Sequence, residues 1–125
     1  MRARRFLIAA LPLAACAPQV ERAPANQVPA ARVVGAAVSC LNTSQISDSV
    51  VRDDRTIDFR VTGGRHYRNT LPARCPELGF ERRFAYTLHT PRLCSTDIIT
   101  VLHTEGRGAS CGLGEFVPVE IDRRR

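Results

Sequence analysis

The residues of this 125-residue chain best suited to acid–base chemistry are three histidines, His66, His89 and His103. Each could serve as a general base, but no G-x-S-x-G, H-E-x-x-H or S-x-x-K motif accompanies any of them. Their spacing also lacks the pairing typical of zinc ligands. The sequence therefore predicts no catalytic residue and no metal site at these positions.

The densest acidic cluster consists of Asp53, Asp54 and Asp58. Calcium requires six or more oxygen ligands, and the spacing of these aspartates fits no EF-hand loop. Aspartate tolerates the left-handed backbone region, so Asp53 and Asp54 are predicted to form a tight turn. Asp58 is predicted to be exposed on a strand, opposite an arginine of the neighbouring strand.

The glycines of Gly112-Leu113-Gly114 resemble part of a nucleotide-binding loop. No lysine and no predicted helix follow them, so the segment is not expected to hold a phosphate. We interpret it as a β-bulge or as a close backbone approach beside Cys111. No cofactor is expected anywhere in the chain.

The N-terminus has the pattern of an export signal. A basic start precedes the apolar run of residues 6–15, which is about half the length that a membrane-spanning helix needs. Leu13-Ala14-Ala15-Cys16 resembles the lipobox of bacterial lipoproteins, in which the cysteine receives diacylglycerol and becomes the new N-terminus. We therefore expect a signal peptide over residues 1–15 and a lipid on Cys16. The pattern implies the outer membrane, facing the periplasm; the alternative is a secreted or periplasmic protein.

The cysteine count agrees with this assignment. Five cysteines are an odd number for an exported protein. If Cys16 carries a lipid, four remain, and they are expected to form two disulfides in an oxidising compartment. Spacing alone leaves three connectivities open for Cys40, Cys75, Cys94 and Cys111.

The formal net charge of +6 lies at the two ends of the chain. Residues 36–120 contain ten arginines and ten acidic residues, so their formal charges cancel, and the chain contains no lysine. A neutral domain has no net field to attract a polyanion, so nucleic acid is excluded as a partner.

The chain is predicted to contain one folded domain. Residues 16–35 are rich in alanine and proline and show no apolar periodicity, which is typical of a flexible tether. The β domain is expected over residues 36–121, followed by a basic tail over residues 122–125.

Apolar alternation and β-branched residues predict about six strands, over residues 46–52, 55–61, 66–71, 83–88, 97–102 and 111–121. Gly63-Gly64 indicates a two-residue hairpin turn, and residues 72–79 a connector with a helical turn. The strand over residues 97–102 is expected to be buried on both faces, and Pro118 places the last strand at a sheet edge. The fold class is mainly β, a small disulfide-stapled antiparallel sheet or barrel-like roll.

Five segments carry a resemblance: residues 53–59, 63–71, 75–80, 93–99 and 111–116. Together they resemble a domain-of-unknown-function family of small secreted or lipid-anchored proteins from alphaproteobacteria and their relatives. The resemblance covers about residues 39–119 and implies no activity. It implies pairing of Cys75 with Cys111, which leaves Cys40 with Cys94.

The absence of a catalytic motif and the expected anchor favour a non-enzymatic module that binds an envelope protein or polysaccharide and is held to the membrane by lipid. An inhibitor of lysozyme or of a protease is the alternative, since a small disulfide-stapled β domain suits that role. A further alternative is an enzyme without a recognisable motif.

Overall fold

The computed structural model describes residues 28–122; the predicted signal peptide, Cys16 and most of the predicted tether lie outside this range. The described part contains ten strands, a 3₁₀ turn at Thr43–Gln45 and one α-helix of four residues. Their bounds are β1 Ala31–Val33, β2 Cys40–Asn42, β3 Ile46–Val51, β4 Thr56–Val61, β5 His66–Thr70, α1 Leu78–Glu81, β6 Phe84–Tyr86, β7 Arg92–Cys94, β8 Ile98–His103, β9 Gly106–Gly112 and β10 Phe116–Ile121. No helix within residues 28–122 has the length and apolar character of a membrane span.

The strands form three antiparallel sheets, which confirms the predicted mainly β fold. A five-stranded sheet has the order β1-β10-β5-β4-β3, β2 pairs with β7, and a three-stranded sheet has the order β6-β8-β9. Within the described residues no sheet closes into a barrel. Six expected strands are four too few. Strands β1, β2 and β7 have three residues each, which is too short for an alternating pattern. The glycine-rich β9 lies between two predicted strands and overlaps the second only at residues 111–112.

The predicted meander of β3, β4 and β5 is confirmed. Gly63 and Gly64 both adopt positive φ, at 91° and 79°, which a residue with a Cβ adopts only at a cost. The loop is one residue longer than predicted, because the N–H of Val61 donates to the carbonyl of Arg65 at 2.9 Å.

The core lies between the five-stranded and three-stranded sheets. Phe59 on β4 meets Phe116 on β10 edge to face, with ring centroids 5.4 Å apart, and meets Phe84 on β6 at 6.3 Å. Ile99 and Val101 are fully buried on the inner face of β8. These aromatic and β-branched contacts hold the two sheets together.

Two disulfides join the sheets and their connections. Cys40 on β2 bonds to Cys94 directly opposite on β7, and Cys75 before α1 bonds to Cys111 on β9. This is the pairing that the family resemblance implies. The second bond ties the connector that carries α1 to the three-stranded sheet.

The N-terminal boundary of the folded part lies earlier than residue 36. Ala31–Val33 form strand β1, and Ala31 pairs with Ile121 of β10. Beyond the strand, the N–H of Asp122 donates to the carbonyl of Ala30 at 2.8 Å. Part of the stretch predicted as tether is therefore an outer strand of the main sheet.

This outer strand also corrects the prediction for Pro118. Strand β10 lies between β1 and β5, so it is not an edge strand. The carbonyl of Pro118 accepts a hydrogen bond from the N–H of Val34 at 2.9 Å. The nitrogen of Pro118 points to the same side of β10 as this carbonyl, towards the chain beyond Val33, where β1 ends. The N–H that proline lacks is therefore not needed by a strand ladder.

The burial of β8 differs from the prediction as well. Ile99 and Val101 are buried, but Ile98 on the opposite face is 59% exposed. The three-stranded sheet is covered by the core on one face only, so a run of β-branched residues here does not indicate burial on both faces.

Asp58 is buried rather than exposed, with 1% of its surface accessible. Its predicted partner, an arginine on the neighbouring strand, is Arg68, which donates from Nε at 2.8 Å. A second arginine, Arg52, donates to the other carboxylate oxygen at 2.8 Å. Arg68 also donates to the carbonyl of Pro29 at 3.0 Å, so the N-terminal segment contacts an arginine that binds Asp58.

Gly114 makes the close backbone approach expected in its segment. The buried side chain of Asn69 accepts from the Gly114 N–H at 2.8 Å and donates to its carbonyl at 2.7 Å. A Cβ at Gly114 would lie 2.3 Å from the carbonyl oxygen of Thr70.

Gly114→Ala is therefore expected to destabilise the fold by about 1–3 kcal/mol, because the added methyl group must displace this backbone contact. Gly112→Ala is the matched control, since a Cβ there meets nothing within 4 Å. Urea denaturation followed by circular dichroism measures both. Equal midpoints for the two variants would contradict the close approach.

Candidate functional site

The most distinctive surface of the domain surrounds α1, a single helical turn after Cys75. Leu78 in this turn is fully buried, and Cys75 is fully buried in its disulfide. These two side chains fix the base of the turn in the core. Gly79 is half-buried, and Phe80 lies on the outer side of the turn.

Asp54 clamps the turn from the β3–β4 connection. Its side chain accepts from the Gly79 N–H at 2.8 Å and from Nε of Arg74 at 2.8 Å. Its backbone carbonyl accepts from the Cys75 N–H at 2.7 Å. A Cβ at Gly79 would lie 3.0 Å from backbone atoms of Asp53, so glycine permits this close packing.

His103 on β8 holds the other side of the turn. Its Nδ1 lies 3.0 Å from a carboxylate oxygen of Glu81, and its Nε2 lies 3.0 Å from one of Glu77. The ring packs against Gly108, where a Cβ would lie 2.2 Å from Nε2. Because both ring nitrogens are engaged, His103 has no free nitrogen to offer a substrate, and its role is to position α1.

Both ends of the turn adopt the left-handed backbone conformation. Glu77 precedes α1 with φ 68°, and Arg82 follows it with φ 57°. For residues with a Cβ, each such conformation costs on the order of 1 kcal/mol and persists where surrounding contacts enforce it. The disulfide, Asp54 and His103 supply those contacts, so α1 is held in a conformation that a free peptide would leave.

Phe80 is the residue that this arrangement displays. Phe80 is 85% exposed, more than any other large apolar residue within residues 28–122. It borders a shallow depression that we call the α1 patch, lined by Asp53, Asp54, Arg55, Arg74, Gly79, Phe80 and Arg82.

The α1 patch carries cations that no carboxylate neutralises. Arg55 donates to the carbonyls of Leu71 at 2.7 Å and Pro72 at 3.0 Å, which orient its guanidinium but do not cancel its charge. Exposed Arg82 makes no ion pair with a residue of the described range. An aromatic face beside free guanidinium groups can bind an anionic or amphipathic partner.

The other predicted candidates are scattered. His89 is exposed beside Tyr86. His66 lies with Tyr67 in a groove between β5 and β10 of the five-stranded sheet, whereas His103 belongs to the three-stranded sheet. The predicted acidic cluster does not form one site. Asp58 forms a buried ion cluster with Arg52 and Arg68, and Asp54 binds α1. Across residues 28–122, no group of three or more His, Cys, Asp and Glu is placed to hold a metal.

Sequence reasoning missed Phe80. An aromatic residue normally indicates core, and residues 75–80 show no alternation that would orient it. The available signal was the position of Phe80 in a connector, immediately after the Leu78-Gly79 pair and followed by Glu81 and two arginines.

Asp54→Ala is expected to destabilise the fold by about 1–2 kcal/mol, mainly through loss of the hydrogen bond from Gly79. The ion pair with Arg74 adds little because the arginine side chain is 75% exposed. Asp54→Asn is the matched control, since its amide oxygen still accepts from Gly79. Faster hydrogen exchange of the Gly79 amide in the alanine variant alone is the expected result, and equal exchange in both variants would contradict it.

Comparisons of this chain with protein-family models, with curated proteins and with solved structures found no match.

Proposed function

We propose that this protein is an outer-membrane lipoprotein, anchored by Cys16 and facing the periplasm, whose β domain is a non-enzymatic binding module. The α1 patch is its binding surface. The observation that carries the proposal is the 85% exposure of Phe80 on a turn fixed by a disulfide, Asp54 and His103. Folding alone gains nothing from an apolar side chain held in water.

The lipid anchor is tested by metabolic labelling with a fatty acid in cells that make the full chain. The wild type is expected to carry the label in the membrane fraction, and Cys16→Ser to lose both the label and the membrane association. A membrane-bound, unprocessed wild-type chain without label would overturn the anchor.

The binding surface is tested by placing a photo-reactive phenylalanine analogue at position 80 of the full chain and irradiating intact cells. The expected result is a defined crosslinked envelope component, which weakens when Arg82→Gln is added. The same analogue at Val50, which is 39% exposed on edge strand β3, is the control. Absence of any crosslink specific to position 80 would remove the α1 patch as the binding surface.

Inhibition of lysozyme or of a protease is the second candidate function. A rigid protruding segment favours it, because a segment already fixed in its bound conformation loses little entropy on binding. Assays of both enzyme classes with wild type and Phe80→Ala test it. Unchanged enzyme activity with the wild type would remove this candidate.

A further inference from the structure

We propose that the α1 patch docks the domain onto an anionic phospholipid surface, with Phe80 entering the headgroup region and Arg55 and Arg82 pairing with lipid phosphates. This inference names the partner of the proposed binding surface and rests on that proposal. Three observations support it: the isolation of the exposed aromatic, the free arginines and the length of the N-terminal chain.

The composition of the patch fits a lipid surface better than a protein partner. Phe80 is its single exposed large apolar side chain, and the remaining lining residues are three arginines, two aspartates and Gly79. Protein–protein interfaces of stable size contain an apolar core of several residues. One aromatic ring among arginines is instead typical of segments that lie at the boundary between headgroups and acyl chains.

The charges of the patch are arranged for an anion. Among the residues that line the patch, Arg74 neutralises Asp54, and Asp53 is the remaining carboxylate against Arg55 and Arg82. The two other carboxylates of the turn, Glu77 and Glu81, lie against His103. Each arginine near an anionic lipid surface strengthens binding about fivefold. The excess positive charge is local, because arginines and acidic residues are equal in number over residues 28–122.

The tether is so short that weak contacts are sufficient to keep the domain docked on the membrane. The twelve residues 16–27 span at most about 40 Å when extended. Tethering over such a length gives the patch an effective concentration in the millimolar range at the membrane. A single aromatic side chain and two arginines can then keep the domain docked.

The test uses the absence of tryptophan from the chain. Residues 17–125, which contain every contact described above, are held through an N-terminal histidine tag on vesicles with nickel-chelating lipid. Phe80→Trp then reports insertion, and Ile98→Trp, at a 59% exposed site on the three-stranded sheet, is the control. The vesicles contain phosphatidylcholine alone or with about 30% phosphatidylglycerol, in each case with brominated acyl chains as quenchers.

Phe80→Trp is expected to shift to shorter wavelength and to be quenched on the anionic vesicles, while Ile98→Trp is not. Adding Arg82→Gln should reduce the docked fraction about fivefold, and high salt should reduce it further. Lack of quenching at position 80, equal quenching at both positions, or equal quenching without phosphatidylglycerol would each overturn the inference.

The outcome is independent of the acyl anchor, because the tag replaces the lipid. A specific crosslink from position 80 to an envelope protein in cells, together with no quenching on vesicles, would retain the binding module and eliminate the lipid surface as its partner. Unfolded variants are recognised by circular dichroism before the vesicles are added.

Discussion

Asp58→Asn is expected to destabilise the fold by about 3 kcal/mol, one of the two largest effects of a substitution in this protein. The carboxylate is 1% exposed and binds two arginines, Arg52 and Arg68, through three hydrogen bonds of 2.8–3.0 Å. Its removal leaves two partly buried guanidinium groups without a counter-charge. Urea denaturation followed by circular dichroism at pH 7 measures the loss.

Asp48→Asn is the matched control. Asp48 is exposed on β3, and its side chain accepts only a local hydrogen bond from the Ser49 N–H, which asparagine can also accept. The free energy of unfolding should change by less than about 0.5 kcal/mol. A similar loss in both variants would show that the buried ion cluster does not stabilise the fold.

The same carboxylate determines part of the acid sensitivity. Burial raises the pKa of Asp58, but the hydrogen bonds and positive charges of Arg68 and Arg52 lower it more, so the pKa lies below its ordinary value. A carboxylate with a lowered pKa stabilises the folded state above its unfolded pKa, and this contribution disappears as the pH falls through the folded pKa. Wild type should therefore lose stability below about pH 4 more steeply than Asp58→Asn. An equally steep fall of the free energy of unfolding with pH in both proteins would contradict this assignment.

Removal of the Cys75–Cys111 disulfide by a double alanine substitution is expected to cost about 4 kcal/mol, from the loop of 36 residues that it closes. This is a large share of the stability of a domain of this size. It should also release α1, because Cys75 lies three residues before the turn. Faster hydrogen exchange over residues 79–82 and loss of membrane docking by Phe80→Trp are the expected local effects.

The Cys40–Cys94 disulfide provides the comparison. It closes a loop of 54 residues, so its removal should also cost about 4 kcal/mol. Its cysteines lie on β2 and β7, away from α1 in sequence, and docking of the still folded protein should persist. Equal loss of docking in both double variants would mean that global stability, and not the local hold on α1, controls the patch.

The sequence predicted the elements whose side chains alternate over five or more residues. Residues 55–61 place Ile57, Phe59 and Val61 on one face, and this period defines β4 and the meander around it. Glycine and aspartate chemistry located the two connections of the meander. These signals are local, so no knowledge of the rest of the fold is needed to read them.

The burial of Asp58 on the other face of β4 could not be predicted from this alternation. Asp58 falls on the polar face of β4, and alternation assigns that face to solvent. Arg68, which binds Asp58, also contacts Pro29, from a region of the chain with no periodicity that pairing of β1 with β10 brings there. The same pairing turns β10, expected at an edge because of Pro118, into an interior strand.

The candidate site was even less accessible from sequence. Phe80 is exposed because Leu78 and Cys75 use the inward positions of a single helical turn, and a turn of four residues has no period to reveal this. His103 on β8 and Asp54 in the β3–β4 connection hold the turn from positions 22 or more residues away in the chain. The lipidation of Cys16 stays a prediction of the N-terminal sequence.

The pairing of β1 with β10 has a mechanical consequence. A pull on the N-terminal chain meets first the hydrogen bonds of Pro29 and Ala30 and then the short ladder of β1. Beyond β1 it meets one hydrogen bond from Val34 to Pro118 and two between Val38 and Phe116. At Cys40 the load passes through a covalent bond to β7. The twelve residues 28–39 can thus peel away and lengthen the connection by up to about 40 Å. The core beyond Cys40 stays folded, so the outer strand acts as a reversible extension with a fixed stop.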